Sequence, residues 1–197
     1  MDTLNHIDDE SASAQPASEL PNARTMDRLV ASCVAGDNTA MQAIYEHCNS
    51  RVYGLMVRMV GRQDADDLTQ QVFLQMFRKL GQFSGQSKLE TWLYRIATNE
   101  ALQHLRKQKK QTTAPYVLEP VTVDDDRLIR NEESQLIQAA LERLEPELRV
   151  VFLLKEQQGL SYHEIAESMG IPEGTVGSRL NRARKELRQE LTKLGFV

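Results

Sequence analysis

The chain has 197 residues, 41% of them hydrophobic, and a net charge of −4. That is enough apolar material for one domain or two small ones, but no apolar run approaches the roughly 20 residues of a membrane span. Two cysteines exclude a disulfide framework. The acidic balance argues against a protein that holds DNA unaided, because phosphate neutralisation dominates such binding.

Residues 1–23 carry Asp2, Asp8, Asp9, Glu10 and Glu19 with no Lys or Arg and no periodicity, which predicts a disordered acidic extension. No basic n-region followed by an apolar stretch is visible, so a cytoplasmic protein is expected. A helical domain is expected over 24–112, where 13 basic and 8 acidic residues leave a net +5. Thr25 is placed as the cap of a short helix ending near Gly36, and Asn38 or Thr39 as the cap of the next. The second helix has an apolar stripe of Met41, Ile44, Tyr45, Cys48, Val52, Leu55, Met56 and Met59. Cys33 and Cys48 lie on such stripes and read as small buried hydrophobes. His47 beside Cys48 lacks any metal-ligand spacing, so no metal is expected.

Asp64 is placed at the start of a third helix, with Leu68, Val72, Phe73, Met76, Phe77 and Leu80 inward. Asp67, Gln70, Gln71 and Arg78 take its other face. A Gly/Ser loop follows over Gly81–Ser87. Ser87 and Glu90 read as a capping box for a helix running to about Lys110, with Leu89, Leu93, Ile96, Ala97, Ala101 and Leu105 inward. The cations Arg106, Lys107, Lys109 and Lys110 suit a helix C-terminus through its dipole and equally suit phosphate. Trp92 and Tyr94, just after the loop that Phe83 leads into, read two ways: as core, or as rings that stack on unpaired bases.

Pro115, Pro120, Glu119 and Asp124–Asp126 mark residues 113–131 as a linker. A second helical domain is expected over 132–197. It begins with Leu136, Ile137, Ala140, Leu141 and Leu144. Pro146 then opens a helix bearing Leu148, Val151 and Phe152, which Gln158-Gly159 ends. Leu160–Leu187 predicts a helix-turn-helix. Ser161 and Glu164 form a capping box, with Tyr162, Ile165, Ala166 and Met169 on one face. Gly170 stops the first helix and Pro172 suits the first turn of the second. Val176, Leu180, Ala183, Leu187, Leu191 and Leu194 make the buried stripe of the second helix. Thr175, Ser178, Arg179 and Arg182 fall on another face, fit for base edges and phosphates. The alternative is a plain helical hairpin with a solvated basic face. No phosphate loop, HExxH or GxSxG motif occurs. The expected fold class is therefore all-α, two small helical domains on a flexible acidic linker, acting as a binding device and not as an enzyme.

Three stretches carry a resemblance: DADDLTQQVFLQMFRKLGQF, SKLETWLYRIATNEALQHLRKQKK and LERLEPELRVVFLLKEQQGLSYHEIAESMGIPEGTVGSRLNRARKEL. Together they resemble a bacterial sigma factor of the extracytoplasmic-function (ECF) group, in the sigma-70 family, over about residues 24–194. The resemblance implies a sigma-two domain at 24–112 and a sigma-four domain at 132–197. It implies that Asp66, Asp67, Gln70 and Gln71 meet the clamp helices of core RNA polymerase. It implies that Phe83, Ser84, Gly85, Gln86, Ser87 and Lys88 capture a flipped base of the minus-ten element. Trp92, Arg95 and Asn99 would meet the melting junction, and Arg106, Lys107 and Lys110 the duplex phosphates. Ser161, Tyr162, Glu173, Gly174, Thr175, Ser178, Arg179 and Arg182 would face the minus-thirty-five element. The implied partners are core RNA polymerase, promoter DNA and an anti-sigma protein, with no cofactor, no metal, no catalytic residue and no membrane insertion. Polymerase would then supply most of the affinity, which accounts for the acidic balance. Two positions depart from the family pattern: Gly177 stands where Lys or Arg is common, and Gln71 where an acid is frequent. A DNA-binding regulator acting as a dimer and a decoy that occupies polymerase without initiating are the rival expectations.

Overall fold

The computed structural model describes residues 23–111 and 128–196. They form eight α-helices and one short 3₁₀ turn: α1 Ala23–Val34, α2 Asn38–Val60, α3 Arg62–Lys79, the turn Leu80–Gln82, α4 Leu89–Gln111, α5 Leu128–Glu142, α6 Pro146–Glu156, α7 Tyr162–Met169 and α8 Glu173–Lys193. No strand occurs among the described residues. The acidic extension expected over 1–23 lies outside them except for Ala23, which already begins α1. Most of the expected linker also lies outside them, and helix resumes at Leu128, earlier than the expected start near Glu132.

The stripes read from the sequence become the core. Ile44, Cys48, Val52, Leu55, Met56 and Met59 of α2 meet Leu68, Val72, Phe73 and Met76 of α3 and Leu93, Ile96 and Ala97 of α4, all buried. Cys33 and Cys48 are free thiols in this core. Burial drives the Cys48 thiol pKa up to about 12, so it behaves as a small apolar group. In the second half Leu141, Leu154, Ile165, Val176, Leu180 and Ala183 are buried in the same way.

Several helix starts differ from expectation. Asp37, not Asn38 or Thr39, caps α2; its carboxylate accepts from Thr39 N at 2.8 Å and Ala40 N at 3.4 Å. Thr25 lies inside α1 instead of at its cap. Helix α3 begins at Arg62, so Asp64 is its third residue, and its carboxylate lies 3.0 Å from His104 Nε2 and accepts from Gln108. Ser87 and Glu90 do not close on each other: α4 starts at Leu89, and the Glu90 carboxylate sits 3.2 Å from His47 Nε2. For Asp64 and Glu90 a histidine distant in sequence takes the carboxylate.

The two helical domains pack against each other: helix α7 lies along α4, and α6 lies against α2 and α4, so one hydrophobic core runs through both. Polar ties cross the seam. Tyr94 Oη donates to Gln158 Oε1 at 2.6 Å, and Ser168 Oγ lies 3.1 Å from Thr91 O. Arg149 Nη1 donates to Met59 O at 2.5 Å.

Candidate polymerase and nucleic-acid interface

Helix α3 turns its stripe inward and leaves Asp66, Asp67, Gln70 and Gln71 exposed together. Beside them an open groove of about 660 Å³ runs between α2 and α3, lined by Tyr45, Tyr53, Asp66, Thr69, Gln70, Phe73 and Leu74 among others. Tyr45 and Leu74 are 41% and 49% exposed at its lip. Tyr45 was expected inward; it stacks edge-on against Phe73 at 4.7 Å and keeps its far side open. Leu74 was missed. Its signal was an apolar residue on the polar face, one turn beyond Gln70 and Gln71. An apolar lip flanked by acids and amides suits a helical partner.

The loop before α4 holds Ser84, Gly85, Gln86 and Lys88 exposed and Ser87 half-buried, with Gly85 in the left-handed region at φ +70°. Phe83 and Trp92 stack at 5.4 Å and are both half-buried. The two readings of the aromatics now separate. Tyr94 is core, 3% exposed, while Trp92 keeps part of its ring at the surface. From Trp92 one edge of α4 continues through Arg95, Asn99, Arg106 and Lys110, all four exposed, with Lys107 alongside. At 1.5 Å per residue this edge is about 27 Å long. A track with one ring at its head, an amide in its middle and cations at its tail fits a strand that passes from unpaired bases to duplex phosphates.

The helix-turn-helix is built as its sequence suggests. Ser161 and Glu164 close a full capping box, and Gly170 is left-handed at φ +64°. Pro172 is the cap position of α8, one residue earlier than expected, and Glu173 is its first residue. Ser178 and Arg182 are exposed; Thr175 and Arg179 are half-buried. Tyr162, expected among the residues that face the upstream element, is 39% exposed, with Lys155 Nζ 5.6 Å from its ring centre. A Cβ added at Gly177 would sit 3.6 Å from the Tyr162 ring, an ordinary contact, so packing does not require glycine there.

Packing of the halves brings acids of the second onto cations of the first. Lys88 Nζ lies 2.8 Å from Glu164 Oε1, and Arg106 Nη2 3.1 Å from Glu147 Oε1. On α8, Arg182 pairs with Glu186 at 2.7 Å and Glu145 at 3.3 Å. Glu147 and Glu145 carry no signal in the sequence, because each acts through a partner on another element, and Glu164 reads there only as the α7 cap.

Glu164 serves both the α7 cap and Lys88. The Lys88 hydrogen bond and the Ser161 backbone N–H outweigh burial and hold its carboxyl down to about 2. A depressed carboxyl stabilises the fold above its ordinary value near 4.5, and that contribution is lost as pH falls toward 2. Glu164→Gln should therefore melt below the wild-type chain at pH 6, with the gap narrowing through pH 4 to 3. Thermal melts across that range check this, and a constant gap would refute it.

The sequence profile of the family described as Sigma-70 region 2 matches residues 44–111, and that of Sigma-70, region 4 matches 134–187. The chain is 33% identical to the ECF RNA polymerase sigma-E factor of Haemophilus influenzae, over 86% of this chain and 97% of that protein. In fold it is similar to CnrH, solved in complex with the cytosolic domain of CnrY, with TM-score 0.67, 23% identity, and coverage of 85% of this chain and 98% of that one. It is also similar to the sigma factor RpoE of Bartonella quintana, solved with the anti-sigma factor NepR, with TM-score 0.62, 23% identity, and coverage of 77% and 96%. Both regional profiles match in order and a relative aligns along nearly its whole length, so this chain belongs to the ECF RNA polymerase sigma factors, the promoter-specificity subunits of RNA polymerase.

Proposed function

We propose that the division of labour within this sigma subunit follows its two halves. Residues 24–112 bind core RNA polymerase through Asp66, Asp67, Gln70 and Gln71, with the groove lip at Tyr45 and Leu74 beside them. The loop Phe83–Lys88 captures an unpaired minus-ten base, and Trp92, Arg95 and Asn99 hold the melted strand. Arg106, Lys107 and Lys110 hold the duplex behind it. Residues 132–197 read the minus-thirty-five element through Ser161, Tyr162, Glu173, Gly174, Thr175, Ser178, Arg179 and Arg182. The observation that carries this reading is the exposed edge of α4 from Trp92 to Lys110. Melting costs a few kcal/mol of stacking, which a ring and cations at one edge can offset.

The chain acts by binding, not by turnover, and works in the cytoplasm where polymerase is. None of the described helices is long and apolar enough to cross a membrane. An anti-sigma protein is a third partner, as for the Bartonella relative. Glu164 and Glu147 pair with Lys88 and Arg106, so DNA phosphates at these cations compete with the two acids.

Run-off transcription with core polymerase on a promoter library tests the whole reading. Starts that need this protein, and that share an upstream and a start-proximal motif, are expected. Tight DNA binding by the chain alone with no starts would favour a dimeric regulator, and polymerase binding with no starts a decoy. Asp67→Ala should weaken polymerase binding about fivefold, the size of one surface charge contact. Unchanged affinity in a fluorescence titration would remove Asp67 from the interface.

A further inference from the structure

A histidine and a glutamate meet across the turn of the helix-turn-helix. His163 of α7 places Nδ1 2.8 Å from Glu173 Oε1, the first residue of α8. Its Nε2 lies 4.0 Å from Glu167 of its own helix. All three side chains are well exposed, His163 at 69% and Glu173 at 55%. A surface pair of this kind contributes little to stability, so the fold does not need it.

Position gives it a different use. The N-terminal residues of a recognition helix are those that reach base edges in a major groove. Glu173 leads α8, and it is the one acid among the residues assigned to the upstream element. The helix dipole tolerates an acid there, but DNA phosphates repel it. A carboxylate in a major groove finds a favourable partner in the N4 amino group of cytosine and an unfavourable one in the acceptors of guanine and thymine. With the proton on Nδ1, His163 donates to the carboxylate and fixes the side chain's direction; as an imidazolium it also offsets the carboxylate's charge against the phosphates.

We infer that His163 is a positioning residue which aims Glu173 at a cytosine in the upstream promoter element, so that the pair sets base preference at one position. This rests on the assignment of the helix-turn-helix to that element, and the test separates the two. Holoenzyme made from core polymerase and each variant transcribes a library randomised across the upstream element, and the base profile is read from the transcripts. Wild type is expected to favour cytosine at one position near the leading end of α8. Glu173→Ala should erase that preference alone. His163→Ala should reduce it at the same position, within the fivefold or more that one good base contact supplies, and His163→Gln, which keeps a donor, should restore part of it. Melting temperature should move little in all three, a result that a merely structural role would not combine with a change at one base. The inference is overturned if His163→Ala leaves the profile unchanged or flattens every position equally while Arg179→Ala still alters upstream preference. If wild-type holoenzyme shows no upstream preference, the assignment of the helix-turn-helix itself fails and takes the pair's role with it.

Discussion

Arg149→Ala is expected to lower the stability of the chain by about 3–5 kcal/mol, from two buried carbonyls left unpaired at about 1–3 kcal/mol each and a cavity beside them. Arg149 is only 5% exposed. Its guanidinium donates to Met59 O at 2.5 Å and to Glu142 O at 2.6 Å, with Leu144 O at 3.4 Å. Met59 and Glu142 lie in the last turns of α2 and α5, where helix carbonyls have no partner of their own and the dipole is negative. One planar cation thus closes two helix ends from opposite halves of the molecule. Burial pulls its pKa down while the charge of Glu142 opposes that. Alanine would leave both carbonyls unpaired and a cavity beside them. For a chain of this size the loss corresponds to a fall in melting temperature of roughly 10 °C. Arg149→Met, which restores volume but no donors, should recover little of it. A change below about 0.5 kcal/mol in urea or thermal unfolding would show that water satisfies these carbonyls and that the contact is incidental.

Arg179→Ala should cut discrimination of the upstream element by about 1–3 kcal/mol, the value of one bidentate arginine–guanine contact. That is roughly fivefold to 150-fold in relative promoter use. Arg179 stands one turn after Thr175 on α8, half-buried and therefore held in direction, and its charge helps to keep the Glu147 carboxylate ionised against the cost of burial. Lysine should not rescue it, because a point charge lacks the planar fork. Paired transcription from templates with intact and scrambled upstream elements measures the effect. Polymerase binding should survive; its loss in the same variant would contradict the proposed division between the halves.

Much of this architecture was legible in one dimension. The stripes of α2, α3, α4 and α8, the Ser161–Glu164 box and the left-handed Gly170 are all properties of a few neighbouring residues. Local periodicity and capping chemistry therefore determine them before any packing occurs. So is the exposure of Asp66, Asp67, Gln70 and Gln71, which follows once the other face of α3 is apolar. What periodicity cannot encode is the partner. Trp92 and Tyr94 are equivalent on paper; in the fold Tyr94 is buried with its hydroxyl on Gln158, and Trp92 is half-buried against Phe83. Glu90 was read as a cap and turned to His47. Asp64 was read as a helix start and turned to His104. Arg149 reads as a charge within an apolar run until α2 and α5 bring their carbonyls to it. Lys88 and Glu164 meet across 76 residues of sequence. A helix and its faces cost only local order, so nearby residues specify them. A carboxylate or cation that must lose water takes the best counter-group that the assembled fold brings within reach, and that choice exists only in the tertiary structure.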